Sequence, residues 1–212
     1  MSSEIKANSI QDKTGTRVLA SDSGSAWSWG ANVPKGSVIE QFSSPCDGSA
    51  ITVQSGTYTV PNVTALQDLT STFEDVTGST IDYTPPTGTQ TVIYTFNLMV
   101  SWASGSTHSI AHFRLMLDND SGTPTVVTNF RSTAEAQTYL EVRQHLMWAF
   151  NIGGSDNDAT GRRDTWTSAR TIKLQAREYG SSNQGVLHMV SEWDGSGTDQ
   201  FSQPIIGITA LA

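Results

Sequence analysis

The sequence predicts an all-β protein built as an antiparallel sandwich or barrel. Long segments alternate apolar and polar residues with a period of two, as in Thr91 to Trp102, where every even position is apolar. Clusters of Gly, Asn, Asp, Ser and Pro separate such segments, as in DNDSGTP and YGSSNQG. Only 15% of the residues are charged, whereas Gly, Ser and Thr are abundant. About eight strands joined by hairpin-type turns are typical of a sandwich or a barrel.

Residues 1–35 differ from the rest of the chain, because their apolar residues are isolated and show no sustained period. Alone, such a segment buries too little apolar surface to offset the entropy lost on ordering. We therefore expect an extended N-terminal docking arm laid against another chain, anchored by Trp27 and Trp29. The alternative, that both tryptophans pack on their own domain, stays open. Further candidate docking residues are Ile5, Ile10, Val18 and Leu19.

Residues 36–65 are predicted to form a connector. The segment GSVIEQFSS, Gly36 to Ser44, favours one short strand, and turn-forming residues punctuate the sequence after it. Regular alternation begins near residue 66, so residues 66–212 are predicted to form the β-sandwich head domain.

Within this domain, period-two alternation predicts strands in residues 91–102, 109–118, 139–152, 170–179 and 185–195. Shorter strands are predicted in 70–78, 123–130 and 203–212. Residues 132–139, STAEAQTY, are the one place where a helical turn or two is considered. The residues expected in the core are Val92, Phe96, Val100, Phe113, Leu115, Val142, Trp148, Ile172 and Leu174.

The chain ends on an apolar run, FSQPIIGITALA, after its last charged residue, Asp199. Termini are usually polar and frayed unless something ties them down. The run therefore predicts a final strand that must be covered, by its own sheet and by partner subunits, because an exposed apolar edge favours aggregation. The residues expected to carry this strand's contacts are Ile205, Ile206, Ile208 and Leu211.

Composition and charge exclude several classes of protein. The net charge of −8 and the sequence pI near 4.8 argue against a nucleic-acid or anionic-membrane surface. Cys46 is the only cysteine, so no intrachain disulfide forms. The N-terminus has no apolar signal region and no stretch of 18 apolar residues occurs, which predicts synthesis in a cytoplasm without standard export or membrane insertion.

No catalytic or metal-binding signature stands out. His108 and His112 lie four apart on a predicted strand, about 13 Å from each other, which is too far to share an ion. Asp118 to Gly122 resembles a calcium loop but lacks the required later ligands, so a hairpin is the better interpretation. The carboxylates available for glycan hydrolysis are Glu141, Asp164, Glu178, Glu192 and Asp194, and nothing marks two of them as partners. We therefore expect no catalytic residue, metal or cofactor, and no enzyme.

Several segments resemble virion structural proteins of tailed bacteriophages, particularly marine and cyanobacterial ones. EIKANSIQDKTGTRVLA and GANVPKGSVIEQFSS resemble their N-terminal region. STFEDVTGSTIDYTPPTGTQTVIYTFNLMVSW and TWTSARTIKLQAREYGSSNQGVLH resemble their distal β domains, which are often tail-fibre-like or head-fibre-like. Such domains are similar to trimeric jelly rolls of the TNF/C1q kind, in which the C-terminal strand lies inside the sandwich near the threefold axis.

The resemblance implies a jelly-roll head domain, a homotrimer and a place on the phage particle. The implied function is an exposed appendage docked through its N-terminus, either a tail fibre for host attachment or a capsid decoration or head fibre. Its implied partners are two copies of itself, a capsid or tail protein, and a glycan or protein on the host surface. The alternative is a glycan-binding module or a glycan-degrading enzyme, which would not need residues 1–35 for its activity.

Overall fold

The computed structural model describes the strands of residues 9–11, 17–22 and 26–29, together with residues 34–103, 108–138, 140–191, 193 and 199–212. These residues form strands and turns without a helix, which confirms the predicted all-β fold. In chain order the strands are β1 (Ser9–Gln11), β2 (Arg17–Asp22), β3 (Ala26–Trp29), β4 (Val38–Pro45), β5 (Ala50–Val53), β6 (Gly56–Thr59), β7 (Gln67–Asp68), β8 (Glu74–Asp75), β9 (Ile81–Tyr83), β10 (Thr91–Trp102), β11 (His108–Asp118), β12 (Pro124–Gln137), β13 (Val142–Asn151), β14 (Arg170–Glu178), β15 (Gly185–Leu187), β16 (Met189–Val190), β17 (Gln200–Phe201) and β18 (Ile205–Leu211).

One layer of the sandwich is a six-stranded antiparallel sheet, here called the β18 sheet. Its long strand β10 pairs with β13 along one edge and with β18 along the other. On its far side β18 pairs with β4, which gives the order β13-β10-β18-β4. Beyond the end of β18, the last residues of β10 pair with β15, and β15 pairs with β7.

The second layer is a five-stranded antiparallel sheet, here called the β11 sheet. Its order is β12-β11-β14-β8, and β9 pairs with the first residues of β14. The pairing of β11 with β12 is irregular between Phe113 and Leu115, which pair with Ser132 and Val127, so β12 has extra residues at this point. Two small two-stranded sheets, β5-β6 and β16-β17, complete the domain and make the fold a jelly-roll-like β-sandwich.

The core lies between the inward faces of these two sheets. Phe96 and Leu98 of β10 are fully buried, as are Leu115 of β11 and Leu174 of β14, and all belong to one apolar cluster. Alternation along β10 and β14 is as predicted, since every second side chain faces the cluster. The predicted core residues that the structure buries are Val92, Phe96, Val100, Phe113, Leu115, Ile172 and Leu174.

Strand β13 departs from the prediction. Val142 and Trp148 are only half-buried, although Trp148 packs against the core cluster. Leu146 and Phe150 are the residues of this strand that reach the core. Strand β13 is the edge of its sheet, so its ends extend past the opposing layer and fewer of its side chains are covered.

Residues 132–137 differ from the sequence-based expectation, and the strand predicted after Gly36 is present. Residues 132–137, considered for a helical turn, belong to the 14-residue strand β12, and Ala134 and Ala136 are buried there with a period of two. The predicted strand from Gly36 to Ser44 is β4, Val38–Pro45, and it pairs directly with β18. Residues 36–65 thus contribute a strand to the sandwich itself.

Candidate assembly surfaces

The C-terminal strand β18 lies between two strands of its own chain. Its pairing with β10 and β4 leaves neither edge open. The backbone of Ala212 is also tied down, because Gly36 N donates to its carbonyl at 2.6 Å and its own N–H donates to Ser37 O at 2.9 Å. The strand is therefore covered within the chain, and the edge argument for a partner subunit does not apply to it. Any contact with a partner involves the face of this strand.

The four residues predicted on this strand divide between its two faces. Ile206 and Ile208 point into the sandwich and are 0% and 1% exposed. Ile205 and Leu211 lie on the outward face, where they are half-buried. Ile206 and Ile208 are thus core residues of the domain, and only Ile205 and Leu211 are available for contact with a second molecule.

The outward face of the β18 sheet carries further apolar side chains beside these two. Cross-strand pairing places Ile93 of β10 between Thr209 of β18 and Ala149 of β13. Met147 of β13 lies opposite Thr95 and is 58% exposed. We call this surface the outer face; its apolar members are Ile93, Met99, Met147, Ala149, Ile205 and Leu211.

The outer face is kept flat at its centre by Gly207. A Cβ added there would lie 2.7 Å from Thr95 Oγ1 and 3.2 Å from the backbone oxygen of Phe42. Glycine therefore lets β4, β18 and β10 approach closely beneath the surface. Nearby, Asn97 Oδ1 and His145 Nδ1 form a hydrogen bond between β10 and β13, which places a polar pair beside the apolar residues. The sequence alone indicated only that the odd positions of β10 form a mixed face.

The N-terminal docking candidates fall on a three-stranded antiparallel sheet, β1-β2-β3. Its register places Ile10, Leu19 and Trp29 in one cross-strand row. Trp27 belongs to β3, where it pairs with Ser21, and Val18 belongs to β2. Ile5 lies outside the described residues. The sequence pattern had indicated no regular structure in this segment, and the structure pairs it into a sheet.

An arginine neutralises the acidic charge of the turn that resembles a calcium loop, Asp118 to Gly122. Gly122 N donates to Asp118 Oδ1 at 3.1 Å and closes the β11–β12 hairpin, as predicted. Arg170, 2% exposed, donates to Asp120 Oδ2 at 2.6 Å and to the Asp118 carbonyl at 3.1 Å. Its guanidinium thus takes the place that a cation would have beside these oxygens. Among the described residues no group of three or more His, Cys, Asp or Glu side chains is placed to hold a metal ion.

The histidines and carboxylates considered for chemistry have separate surroundings. His108 Nε2 lies 2.6 Å from Asn183 Nδ2, and His112 Nδ1 lies 3.2 Å from Thr133 Oγ1. Glu141 accepts from Ser191 N at 2.8 Å, whereas Asp164 accepts from Thr165 N at 2.6 Å.

Of the remaining carboxylates, Glu178 is buried at the end of β14. Glu192 and Asp194 lie outside the described residues. In the part of the chain that the structure describes, no helix is long and apolar enough to cross a membrane.

The similarity of this chain to known proteins is low. No family model matches the chain, and no curated protein matches it. Among solved structures, a chain in the structure of the infectious bursal disease virus Gt strain is similar over 88% of this chain, at 11% identity and a TM-score of 0.22. The present chain spans about half of that chain, 47% of its length. A likeness at this level assigns no function.

Proposed function

We propose that the protein is a virion structural protein of a tailed bacteriophage, a homotrimeric appendage that docks through its N-terminal segment and exposes its β-sandwich. The observation that carries this proposal is the apolar outer face on the sheet that holds the C-terminal strand. A chain with a net charge of −8 presents Met147 there at 58% exposure, next to the half-buried Ile93. Apolar side chains grouped on the outward face of a sheet often mark a protein–protein contact.

Assembly through this face is energetically reasonable. Burying one Ile or Met side chain contributes about 1.5–3 kcal/mol, and a closed ring of three copies repeats each contact three times. The polar Asn97–His145 pair lies within this face, between the row of Thr95 and Met147 and the row of Met99 and Arg143, and adds polar groups to the contact. Because both edges of β18 are paired, the proposed contact of this strand with other subunits uses its face and not its edges.

Docking of the N-terminal segment is supported by the register of β1-β2-β3. The register pairs Ile10 with Leu19 and Leu19 with Trp29, and a sheet of three short strands needs a second layer to be stable. In the proposed appendage that layer belongs to a capsid or tail protein of the particle. This arrangement is consistent with a tail fibre and with a capsid decoration or head fibre. In a tail fibre, the role of the exposed sandwich would be host attachment.

The alternative is a free glycan-binding module or a glycan-degrading enzyme. Hydrolysis needs two carboxyl groups that flank the scissile bond. Glu141, Asp164 and Glu178 lie on different elements, before β13, in the loop after β13 and at the end of β14. We therefore propose a non-enzymatic role. A free lectin or enzyme would keep its activity without residues 1–35, whereas an appendage would lose its place on the particle.

Sedimentation of the full chain tests the trimer. The wild-type protein is expected to sediment as a trimer at micromolar concentration, and Ile93→Lys/Met147→Lys is expected to sediment as a folded monomer. Ser121→Lys, an exposed position in the β11–β12 turn, is the matched control and should stay trimeric. A wild-type protein that is monomeric under these conditions would refute the trimer.

Incorporation into particles tests the docking role. Trp27→Ala/Trp29→Ala in the full chain, and a chain lacking residues 1–35, should both remain trimeric but be absent from purified virions. Imaging with gold-labelled antibody on wild-type virions then distinguishes a tail from a capsid position. Normal incorporation of either altered protein would assign docking to another part of the chain.

A further inference from the structure

The outward surface of the β11 sheet contains a groove of about 460 Å³ lined mainly by basic and hydroxyl-bearing side chains. The basic residues are His112 and Arg114 on β11, Arg131 on β12 and Arg177 on β14. Strand pairing places His112 opposite Arg177, so basic groups of two adjacent strands lie side by side. We call this surface the arginine groove. It lies on the opposite layer of the sandwich from the outer face.

Phe73 holds two of the arginines in place. The Cζ atom of Arg114 lies 4.2 Å from the centroid of the Phe73 ring, and that of Arg177 lies 5.4 Å from it. The Nε of Arg114 also donates to Gln175 Oε1 at 2.8 Å. Contacts between guanidinium groups and aromatic faces restrict the side chain while leaving its other N–H groups able to donate. The groove is thus pre-organised for an acceptor.

In the described part of the chain no acidic side chain forms a direct ion pair with these arginines, although Asp75 is near enough to Arg114 for the two charges to interact. Arg114, Arg131 and Arg177 form no ion pair there within 4.0 Å. Asp75, on the adjacent strand β8, is instead paired with Lys173 Nζ at 2.7 Å and accepts from Gln175 Nε2 at 2.7 Å.

The Nε of Arg177 is buried and has no hydrogen-bond partner among the described residues. Three arginines without a carboxylate partner in a protein of net charge −8 indicate a local site for an anion.

We propose that the arginine groove binds an acidic saccharide through its carboxylate or sulfate oxygens. Guanidinium groups match the geometry of both oxyanions and bind them by paired hydrogen bonds. Thr128, Ser132 and Thr133 line the same groove and offer hydroxyl groups to the hydroxyls of a sugar. A nucleic acid fits less well, because the overall negative charge of the protein repels a dense polyphosphate chain.

Binding to purified full-length protein tests the proposal. The probes are an oligogalacturonate, which carries carboxylates, a sulfated galactan oligosaccharide and a neutral galactan oligosaccharide. An oligoglutamate peptide and a single-stranded DNA oligonucleotide represent other anionic ligands. Titration calorimetry at low ionic strength gives the affinities, and the first two probes distinguish carboxylate from sulfate recognition.

Variants of the groove residues test whether the saccharide binds in the arginine groove or elsewhere on the surface. Arg114→Met/Arg177→Met is expected to weaken binding of the acidic saccharide at least about tenfold, since charge-assisted hydrogen bonds are lost. Arg131→Met, at an exposed position, should weaken it without affecting the fold. Arg177→Lys should restore only part of the affinity, because lysine lacks the planar fork. Lys35→Met, which removes one exposed positive charge elsewhere, is the control.

Each outcome decides the proposal. Binding of either acidic saccharide, absent for the neutral one and reduced in the groove variants, supports it. No binding at about 1 mM ligand, equal binding of the neutral probe, or affinity unchanged in the groove variants overturns it. Tighter binding of oligoglutamate or DNA also overturns it and assigns another ligand class.

This inference rests on the proposed function as an appendage and adds a ligand to it. Its failure leaves particle incorporation unaffected, and loss of incorporation leaves this binding unaffected.

Discussion

The hydroxyl of Tyr83 donates a hydrogen bond of 2.8 Å to Oε1 of Glu40, joining the two layers of the sandwich inside the protein. Glu40 is 6% exposed and also accepts from the N–H and the hydroxyl of Ser55, both at 2.7 Å. Burial, and then the bond to Glu40, raise the pKa of Tyr83 far above its ordinary value. Tyr58 extends the network, since its hydroxyl lies 2.7 Å from Ser55 Oγ and donates to Thr84 O.

Removing the Tyr83 hydroxyl tests this network. Tyr83→Phe is expected to lower the free energy of unfolding by about 1–3 kcal/mol, because a buried carboxylate loses one of its donors. Tyr179→Phe, at a residue that is 63% exposed, is the matched control and should change it by less than about 0.5 kcal/mol. Urea unfolding followed by tryptophan fluorescence gives both values. Equal stability of the two variants would show that the bond contributes nothing net.

His188 predicts a loss of stability in mild acid. Burial lowers the pKa of this side chain to about 4 from its ordinary value of 6.5, with the Thr77 carbonyl acting in the opposite direction. The unfolded chain therefore takes up a proton below pH 6.5, while the folded protein does so only near pH 4. The free energy of unfolding should be highest above pH 6.5 and should fall by up to about 1.4 kcal/mol per pH unit between these values.

The His188→Asn variant isolates this contribution. Asparagine tolerates the positive φ of 64° found at this position and does not titrate. Its stability should depend less on pH between 6.5 and 4 than that of the wild type, whatever its absolute value. Parallel curves for wild type and His188→Asn would contradict the prediction.

Two glycines with similar positive φ values allow the cost of backbone strain to be measured separately from the cost of side-chain packing. Gly161 and Gly154 have φ values of +70° and +76°. A Cβ at Gly161 would lie 2.7 Å from the Phe150 ring, whereas nothing lies within 4 Å of a Cβ at Gly154. Both Gly→Ala variants carry the cost of left-handed backbone, so Gly161→Ala should be less stable than Gly154→Ala by about 1–3 kcal/mol. Thermal unfolding of the pair measures the difference, and equal midpoints would show that Phe150 moves aside freely.

Cys46 should report unfolding of the sandwich. Its side chain is 0% exposed, and burial, with a smaller contribution from Asp47, raises the pKa of the thiol to about 12. At pH 8 only about one thiol in 10⁴ would be ionised, so reaction with Ellman's reagent should wait for unfolding. A Cys46→Ser/Ser121→Cys protein, with the thiol in an exposed turn, should react at once. Rapid reaction of native Cys46 would show that the structure around this thiol, which lies 3.4 Å from the carbonyl oxygen of Gly78, opens without global unfolding.

The sequence pattern predicted correctly which side chains are buried in strands at the middle of a sheet, and it predicted them less well in strands at an edge. Alternation along β10 and β14 matches burial because both strands are covered on one side by the full width of the opposing sheet. Strand β13 alternates as well, yet Leu140, just before it, is 59% exposed. Residues 132–137 have helix-forming alanines, but pairing with β11 over the whole hairpin outweighs their local propensity.

The surfaces were harder to predict than the core. The outer face depends on which strands become neighbours, and β18 lies beside β10 although more than 100 residues separate them in the chain. The arginine groove combines Phe73, Arg114, Arg131 and Arg177, none of which belongs to a recognisable motif. The row of Ile10, Leu19 and Trp29 appears only once the register of β1-β2-β3 is known. Which residues become neighbours in this way depends on the topology of the sheets, and the spacing of residues along the chain does not reveal it.

The position of β18 has a consequence for the speed of folding. Its partners are distant in the chain, since Val38 of β4 pairs with Leu211 and Thr91 of β10 pairs with the same residue. A sheet whose central strand joins such distant segments closes late, because the entropy of closing long loops is lost before the non-local contacts form. Until β18 inserts, β4 and β10 present unpaired facing edges, which favour pairing with another copy of the chain. Refolding is therefore expected to be slow and to yield more aggregate as the protein concentration rises.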